Sequence, residues 1–135
     1  MSVKNRKFTK VRNDHVHEKA EDYVEMIQEL VNEQGEARVT VLAKHFGVTP
    51  VTAHKIVARL QREKLVTSKP YRSVFLTEHG KRLAKQSRER HHIVYTFLRK
   101  LGVPEPIANT DAEGMEHHVS PETLSKMKAF LKTKI

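Results

Sequence analysis

Residues 39–58 read VTVLAKHFGVTPVTAHKIVA. Two helices that cross closely around a tight turn need a small residue on the inward face of the first helix. They also need a residue in the turn that tolerates positive φ. Ala43 supplies the small residue, and Gly47, four positions on, supplies the turn. Thr49 then offers a capping side chain, and Pro50 the pre-set φ of a first helical position. Leu42, Phe46, Val48, Ala53, Ile56 and Val57 fall on inward positions and form a shared core. Thr49, Thr52, His54, Lys55 and Arg59 fall outward and are polar or basic. This is the pattern of a helix-turn-helix, whose second helix can lie in the major groove of DNA with its early residues at base edges. Its candidate DNA contacts are Thr49, Pro50, Thr52, His54, Lys55 and Arg59.

Upstream, Ala20, Tyr23, Val24, Ile27, Leu30 and Val31 are spaced as one face of a helix running from about His15 to Gln34, with Gly35 placed to end it. Residues 1–14 lack apolar periodicity, so the stretch 1–17 is expected to be a flexible basic arm. Downstream, Leu65–Ser68 and Ser73–Leu76 are short β-prone runs around Lys69-Pro70-Tyr71-Arg72, as in a hairpin wing. Tyr71 and Arg72 at its tip are candidates to touch a phosphate or the minor groove. Thr77 caps a long predicted helix from about Glu78 to Lys100, although Gly80 stands in its first turn. Gly102-Val103-Pro104 breaks that helix. Two more are expected at Pro104–His118 and Pro121–Lys134, with Ser120 as a start signal for the second. His45 and His79 show no partner in the pattern and are expected to be solvated. The expected fold is mainly α, a winged helix-turn-helix over residues 18–77 followed by a helical domain over 78–135 that opens with the long connecting helix.

Charge is distributed in blocks. The chain of 135 residues carries a formal net charge of +9, from 25 Lys and Arg against 16 Asp and Glu. Residues 1–17 hold five basic residues against one acid, and residues 18–36 hold seven acids against one Lys. Residues 37–72, the helix-turn-helix and wing, hold eight basic residues against Glu63 alone. Residues 111–122 hold four acids, two His and no Lys or Arg. A basic surface for nucleic acid and two acidic patches able to meet a cation account for this alternation better than general solubility does. The chain has no cysteine, which excludes disulfides, thiolate metal sites, iron–sulfur clusters and thiol nucleophiles. No apolar stretch is long enough to span a membrane and no secretory leader is visible, so a soluble cytoplasmic protein is expected.

Asp22 and Glu25, three apart on the first helix, share a face with Cβ atoms roughly 5–6 Å apart. Glu113, Glu116 and His117 follow the i, i+3, i+4 spacing on a later helix, and His91 lies in the long helix between. On both helices the acidic set lies opposite the apolar stripe, which an ordinary solvated face also produces. Against that, residues 113–118 hold no Lys to neutralise them, Asp22 and Glu25 have no nearby Arg to pair with, and clustered carboxylates need a cation to be stable together. Carboxylate oxygen and imidazole nitrogen are hard to borderline ligands that suit Mn²⁺, Fe²⁺ and Zn²⁺. Six such groups can hold two ions if some carboxylates bridge.

At Asp22-Tyr23-Val24-Glu25, Arg90-His91, Phe97-Leu98-Arg99-Lys100-Leu101-Gly102-Val103 and Asp111-Ala112-Glu113-Gly114-Met115-Glu116-His117-His118-Val119-Ser120, the chain resembles the diphtheria toxin repressor (iron-dependent repressor) family, on its manganese-responsive branch. The resemblance covers roughly residues 18–134. It implies a homodimer, each chain joining a DNA-binding winged helix-turn-helix to a helical dimerisation domain. It implies metal ligands at Asp22, Glu25, His91, Glu113, Glu116 and His117, with Glu25, Glu113 and Glu116 shared between two ions per subunit. His118 matches the motif without a ligand role. Iron-sensing relatives place Met and Cys where this chain has Asp22 and Glu116. Oxygen at both positions favours Mn²⁺ over softer ions, with Fe²⁺ or Zn²⁺ as substitutes. The resemblance further implies a metal-activated repressor of metal-uptake genes on a palindromic double-stranded operator. The chain departs from the iron-sensing branch in ending at Ile135, so the SH3-like third domain of that branch is not expected.

Two rivals are distinguishable. A metal-independent winged-helix regulator sensing a small organic ligand needs an apolar pocket, and its DNA binding ignores chelators. A di-metal carboxylate enzyme of the four-helix type usually needs two Glu-x-x-His pairs; Glu113-x-x-Glu116-His117 supplies no such spacing at Asp22 or His91, and the helix-turn-helix would be unexplained. No enzyme is expected.

Overall fold

The computed structural model describes residues 3–68 and 73–133, with side chains from Glu18 onward. In chain order it contains α1 (Val3–Gln34), α2 (Val39–Phe46), α3 (Pro50–Arg62), β1 (Val66–Ser68), β2 (Val74–Leu76), α4 (Glu78–Leu101), α5 (Glu105–Met115) and α6 (Pro121–Phe130). The chain divides into two compact units. One comprises residues 19–85, and the other residues 1–18 together with 86–135.

The 19–85 unit is built on the helix-turn-helix. Leu42 and Ala53 are completely buried and Ala43 nearly so, which lets α2 and α3 approach. Gly47 takes the left-handed conformation (φ 65°) and closes α2, its N–H and that of Val48 returning to the carbonyls of Lys44 and Ala43. Thr49 caps α3 as its spacing predicts: its hydroxyl oxygen accepts from the Thr52 N–H at 3.1 Å, and Pro50 opens the helix. The predicted stripe of α1 is the floor of this core. Ala20, Tyr23, Val24, Ile27 and Leu30 are buried, and Tyr23 stacks on Phe46 with ring centroids 4.2 Å apart.

β1 and β2 pair antiparallel with Thr67 opposite Phe75. Val74 extends the ladder by donating its N–H to the Ala37 carbonyl at 2.7 Å. The hairpin tip, including Tyr71 and Arg72, lies outside the described residues. At the base of the hairpin, Thr77 caps α4 by accepting from the Gly80 N–H at 3.0 Å, and donates its own hydroxyl to the Lys64 carbonyl at 2.7 Å.

The other unit has its own core of Val94 and Leu98 from α4, Ala108 and Ala112 from α5, and Met127 from α6. Gly102 (φ 100°) ends α4 in the left-handed region, and the Val103 N–H returns to the Leu98 carbonyl. Phe97 meets Phe130 edge to face at 5.3 Å. Lys100 Nζ donates to the Phe130 carbonyl at 2.8 Å, at the end of α6, where the same oxygen accepts the Thr133 N–H at 3.0 Å.

Three predicted elements differ in extent. α1 begins at Val3, not near His15, so helical backbone occupies much of the stretch predicted to be an arm; no Pro or Gly there interrupts it. α5 ends at Met115, and residues 116–118 form a turn where the sequence predicts continuing helix. α6 ends at Phe130, short of Lys134. At α5 and α6 helix propensity carries through the predicted end, but the last turn tightens earlier.

Candidate metal centre and nucleic-acid interface

Within the unit containing residues 86–135, α4 presents His91, α5 presents Glu113, and the turn after α5 presents Glu116 and His117. One donor atom each from His91, Glu113 and Glu116 lies within 4.8 Å of the others. His91 Nδ1 stands 2.7 Å from Glu116 Oε2 and 3.6 Å from Glu113 Oε1. The other oxygen of Glu116, Oε1, stands 3.4 Å from His117 Nε2. A single carboxylate thus spans two imidazoles, one oxygen to each.

Burial separates this arrangement from a solvated face. Glu116 is 0% exposed and His117 6%, whereas Glu113 is open to solvent. Glu116 follows the fully buried Ala108 and Ala112 at the helical spacing of four, and its N–H bonds the Ala112 carbonyl at 3.0 Å, so it stands on the inward face of α5 and not on the exposed face of Glu113. Two oxygen donors and imidazole nitrogens, with no thiolate in the chain, fit a hard or borderline divalent cation.

Asp22 and Glu25 lie in the other unit, one turn apart on α1 and both half-buried. Sequence reasoning passed over Glu21, which is 1% exposed on the same helix. Its signal is position: Glu21 precedes Val24 by three and stands among the apolar stripe. It also passed over Asn109, whose Oδ1 lies 3.2 Å from His91 Nε2. Asn109 is one turn before Glu113, so the spacing was visible. Glu18 and His118 form a further pair at 3.2 Å.

On α3, Thr49, Pro50, Thr52, His54 and Lys55 are exposed, as the outward pattern predicts. Val51 stands with them, 64% exposed, an apolar side chain that the sequence reading left out. Arg59 differs: it is half-buried, and its guanidinium Nε lies 3.8 Å from Glu63. The helix therefore offers its first two turns to a partner more openly than its third.

Two family models match the chain in turn. Residues 15–74 match the iron-dependent repressor N-terminal DNA-binding domain, and residues 77–133 the iron-dependent repressor metal-binding and dimerisation domain. The chain belongs to the iron-dependent repressor family. The repressor is 50% identical over 123 residues to the transcriptional regulator MntR of Escherichia coli O157:H7, covering 91% of this chain and 79% of that one. It is 36% identical over 107 residues to the HTH-type transcriptional regulator MntR of Bacillus subtilis (strain 168), covering 79% of this chain and 75% of that one.

Among solved structures, it is similar to a manganese-dependent transcriptional repressor in complex with manganese, at a TM-score of 0.73 and 31% identity, covering 84% of this chain and 52% of that one. It is also similar to the manganese regulator SloR, at a TM-score of 0.72 and 26% identity, covering 83% of this chain and 53% of that one. The repressor thus spans about half the length of these two structures. It is a metal-responsive, DNA-binding transcriptional regulator with DNA and a second copy of itself as partners, as its two family domains describe. A metal-independent regulator of the same fold is not favoured. Among the described residues no helix is long and apolar enough to cross a membrane.

Proposed function

We propose that this repressor is activated by Mn²⁺ to bind a palindromic operator and silence metal-uptake genes in the cytoplasm. The observation that carries the proposal is the convergence of His91, Glu113 and Glu116, with donor atoms within 4.8 Å and Glu116 wholly buried. His117, reached by the second oxygen of Glu116, joins the same set. Asp22 and Glu25 enter it on the family pattern of Asp22-Tyr23-Val24-Glu25, not on distance. The six side chains would hold two ions per subunit, with Glu25, Glu113 and Glu116 as the shared carboxylates, and Fe²⁺ or Zn²⁺ as substitutes. Residues 18–77 act as the DNA-binding domain and 78–135 as the metal-binding and dimerisation domain.

A bound divalent cation supplies the positive charge that lets these carboxylates stand together. Without it, Glu113 and Glu116 repel each other and resist being held at one place. The ligands come from α1, α4 and the end of α5, so holding them together couples the metal to the position of α3. In a dimer the two α3 helices must sit one turn of DNA apart, or a multiple of it, to read two half-sites. Lys55 and the polar side chains of the first two turns of α3 meet the groove. Tyr71 and Arg72 of the wing, with Arg59, add backbone contacts. A coupling of about 1–3 kcal/mol between metal and DNA corresponds to roughly 5–150-fold in operator affinity.

The deciding experiment selects an operator from random duplexes in the presence of Mn²⁺, then titrates binding with Mn²⁺, Fe²⁺ and Zn²⁺, with and without chelator. Affinity is expected to rise tens-fold with Mn²⁺ and to return to the metal-free value with chelator. An affinity that ignores chelator overturns the proposal.

A further inference from the structure

His91 is held on both of its ring nitrogens. Nδ1 faces the acidic pair, 2.7 Å from Glu116 Oε2 and 3.6 Å from Glu113 Oε1. Nε2 faces away from it, 3.2 Å from Oδ1 of Asn109. Tyr95, one turn on along α4, lies nearly parallel to the imidazole, with an interplanar angle of 7° and centroids 6.2 Å apart. A parallel neighbour limits tilt of the ring but does not distinguish its two orientations related by a half-turn about Cβ–Cγ. Choosing between them needs a partner at the ring edge, and Asn109 is the group at the edge away from the carboxylates.

We propose that Asn109 is a positioning residue for the metal site: its amide oxygen accepts the His91 Nε2 proton, so that Nδ1 is the nitrogen presented to the cation. This rests on the reading above that His91, Glu113 and Glu116 hold a divalent metal. A carboxamide oxygen can only accept, and an imidazole that donates from Nε2 keeps Nδ1 for a ligand. Without the acceptor, the ring can turn over about its Cβ–Cγ bond, which exchanges the side on which Nδ1 stands. Metal-ligating histidines depend on such partners, and loss of one commonly costs 10–100-fold in metal affinity. His91 keeps a quarter of its side-chain surface exposed, so water can partly replace the amide, and the low end of that range applies.

The placement of Asn109 follows from α5. It stands one helical turn before Glu113, so the helix that carries an exposed acidic ligand also carries the acceptor that orients the histidine opposite. Both are exposed positions, and neither is needed for the apolar core of Val94, Leu98, Ala108, Ala112 and Met127.

The test compares the full-length protein with Asn109→Leu, which removes the acceptor at similar size, and Asn109→Asp, which keeps one. Mn²⁺ binding is read from the spectrum of free Mn²⁺ by electron paramagnetic resonance. The ring nitrogens of His91 are read by NMR of ¹⁵N-histidine protein loaded with diamagnetic Zn²⁺. Expected for the unaltered protein are a metal-shifted Nδ1 and a proton on Nε2 that exchanges slowly with water. Asn109→Leu is expected to bind Mn²⁺ about tenfold more weakly and to lose the slowly exchanging proton without a change in melting temperature, and Asn109→Asp is expected to restore the proton. Metal on Nε2, or an Asn109→Leu variant indistinguishable from the parent in both measurements, overturns the role of Asn109 while leaving the metal site standing. An unaltered protein that takes up no Mn²⁺, or in which His91 does not shift on metal binding, overturns both.

Discussion

Replacing Gly80 with alanine sets two physical effects against each other. Gly80 lies in the first turn of α4, where alanine is the better helix former by about 1 kcal/mol. On local propensity alone the variant is more stable. The surroundings reverse the sign. A Cβ built at Gly80 would stand 2.1 Å from the Leu65 carbonyl oxygen and 3.3 Å from a methyl carbon of Leu76. The first is a backbone atom, so restoring an ordinary van der Waals separation requires a movement of about 1 Å between α4 and the chain entering β1.

That same carbonyl accepts the Thr77 N–H at 3.0 Å, and the Thr77 hydroxyl bridges to the Lys64 and Leu65 carbonyls at 2.7 and 3.2 Å. The movement breaks or weakens this group, which is worth roughly 1 kcal/mol per hydrogen bond, about 3 kcal/mol in all. Less the gain in propensity, Gly80→Ala is expected to destabilise the protein by about 2 kcal/mol. For a chain of this size the midpoint of thermal unfolding should fall by roughly 8 °C. Circular dichroism on the metal-free protein measures it, without interference from ligand linkage. A melting temperature equal to or above that of the parent would refute the reasoning, because the close approach at Leu65 would then be relieved at no cost.

Four further outcomes are expected. Glu113→Ala should abolish the response of operator affinity to Mn²⁺ and leave the melting temperature of the metal-free protein unchanged, since Glu113 is exposed; a Mn²⁺ response that survives removes Glu113 from the site. Lys55→Ala should weaken operator binding and lower the salt dependence by about one unit of slope, with Mn²⁺ affinity unaltered, as for a lost phosphate contact; an unchanged salt slope argues against that contact. Fe²⁺ should activate less than Mn²⁺ at equal free concentration, because the oxygen ligands proposed at Asp22 and Glu116 would favour the harder ion; equal activation sinks the selectivity argument. The Tyr23 hydroxyl is buried without a hydrogen-bond partner among the described residues, and burial raises its pKa above the usual value near 10. Tyr23→Phe should therefore raise stability by about 1 kcal/mol at neutral pH. The parent's raised pKa means that ionisation favours the unfolded chain. Stability is intact below about pH 10 and declines as pH rises further. Tyr23→Phe should lack that decline, as alkaline unfolding monitored by circular dichroism will tell.

The helix-turn-helix was legible because each of its requirements is local and falls on a distinctive residue. Ala43 permits the crossing, Gly47 the left-handed turn, and Thr49 with Pro50 the start of α3, within eight positions. The stripe of α1 was legible for the same reason, as a period of 3.6 that core packing then used. The ends of α5 and α6 were not, since propensity continues past the point where the helix stops, and neither was the start of α1, where helical backbone runs on to Val3 without apolar periodicity. Gly80 reads in the sequence as a weak spot in α4. Its reason lies fifteen positions upstream, at the carbonyl of Leu65, and no local pattern contains it.

The same division holds at the metal site. Residue types and spacing were enough to nominate Asp22, Glu25, His91, Glu113, Glu116 and His117, and the absence of cysteine restricted the chemistry to oxygen and nitrogen donors. Periodicity could not separate a ligand set from a solvated face, because both place acids opposite the apolar stripe. Only the tertiary structure shows that Glu116 and His117 are withdrawn from water and that Glu116 stands 2.7 Å from His91. A sequence specifies which atoms a chain can offer to a metal. Which of them are withdrawn from water and brought to one point depends on where helices stop and against what they pack, and those contacts are made between residues far apart in the chain.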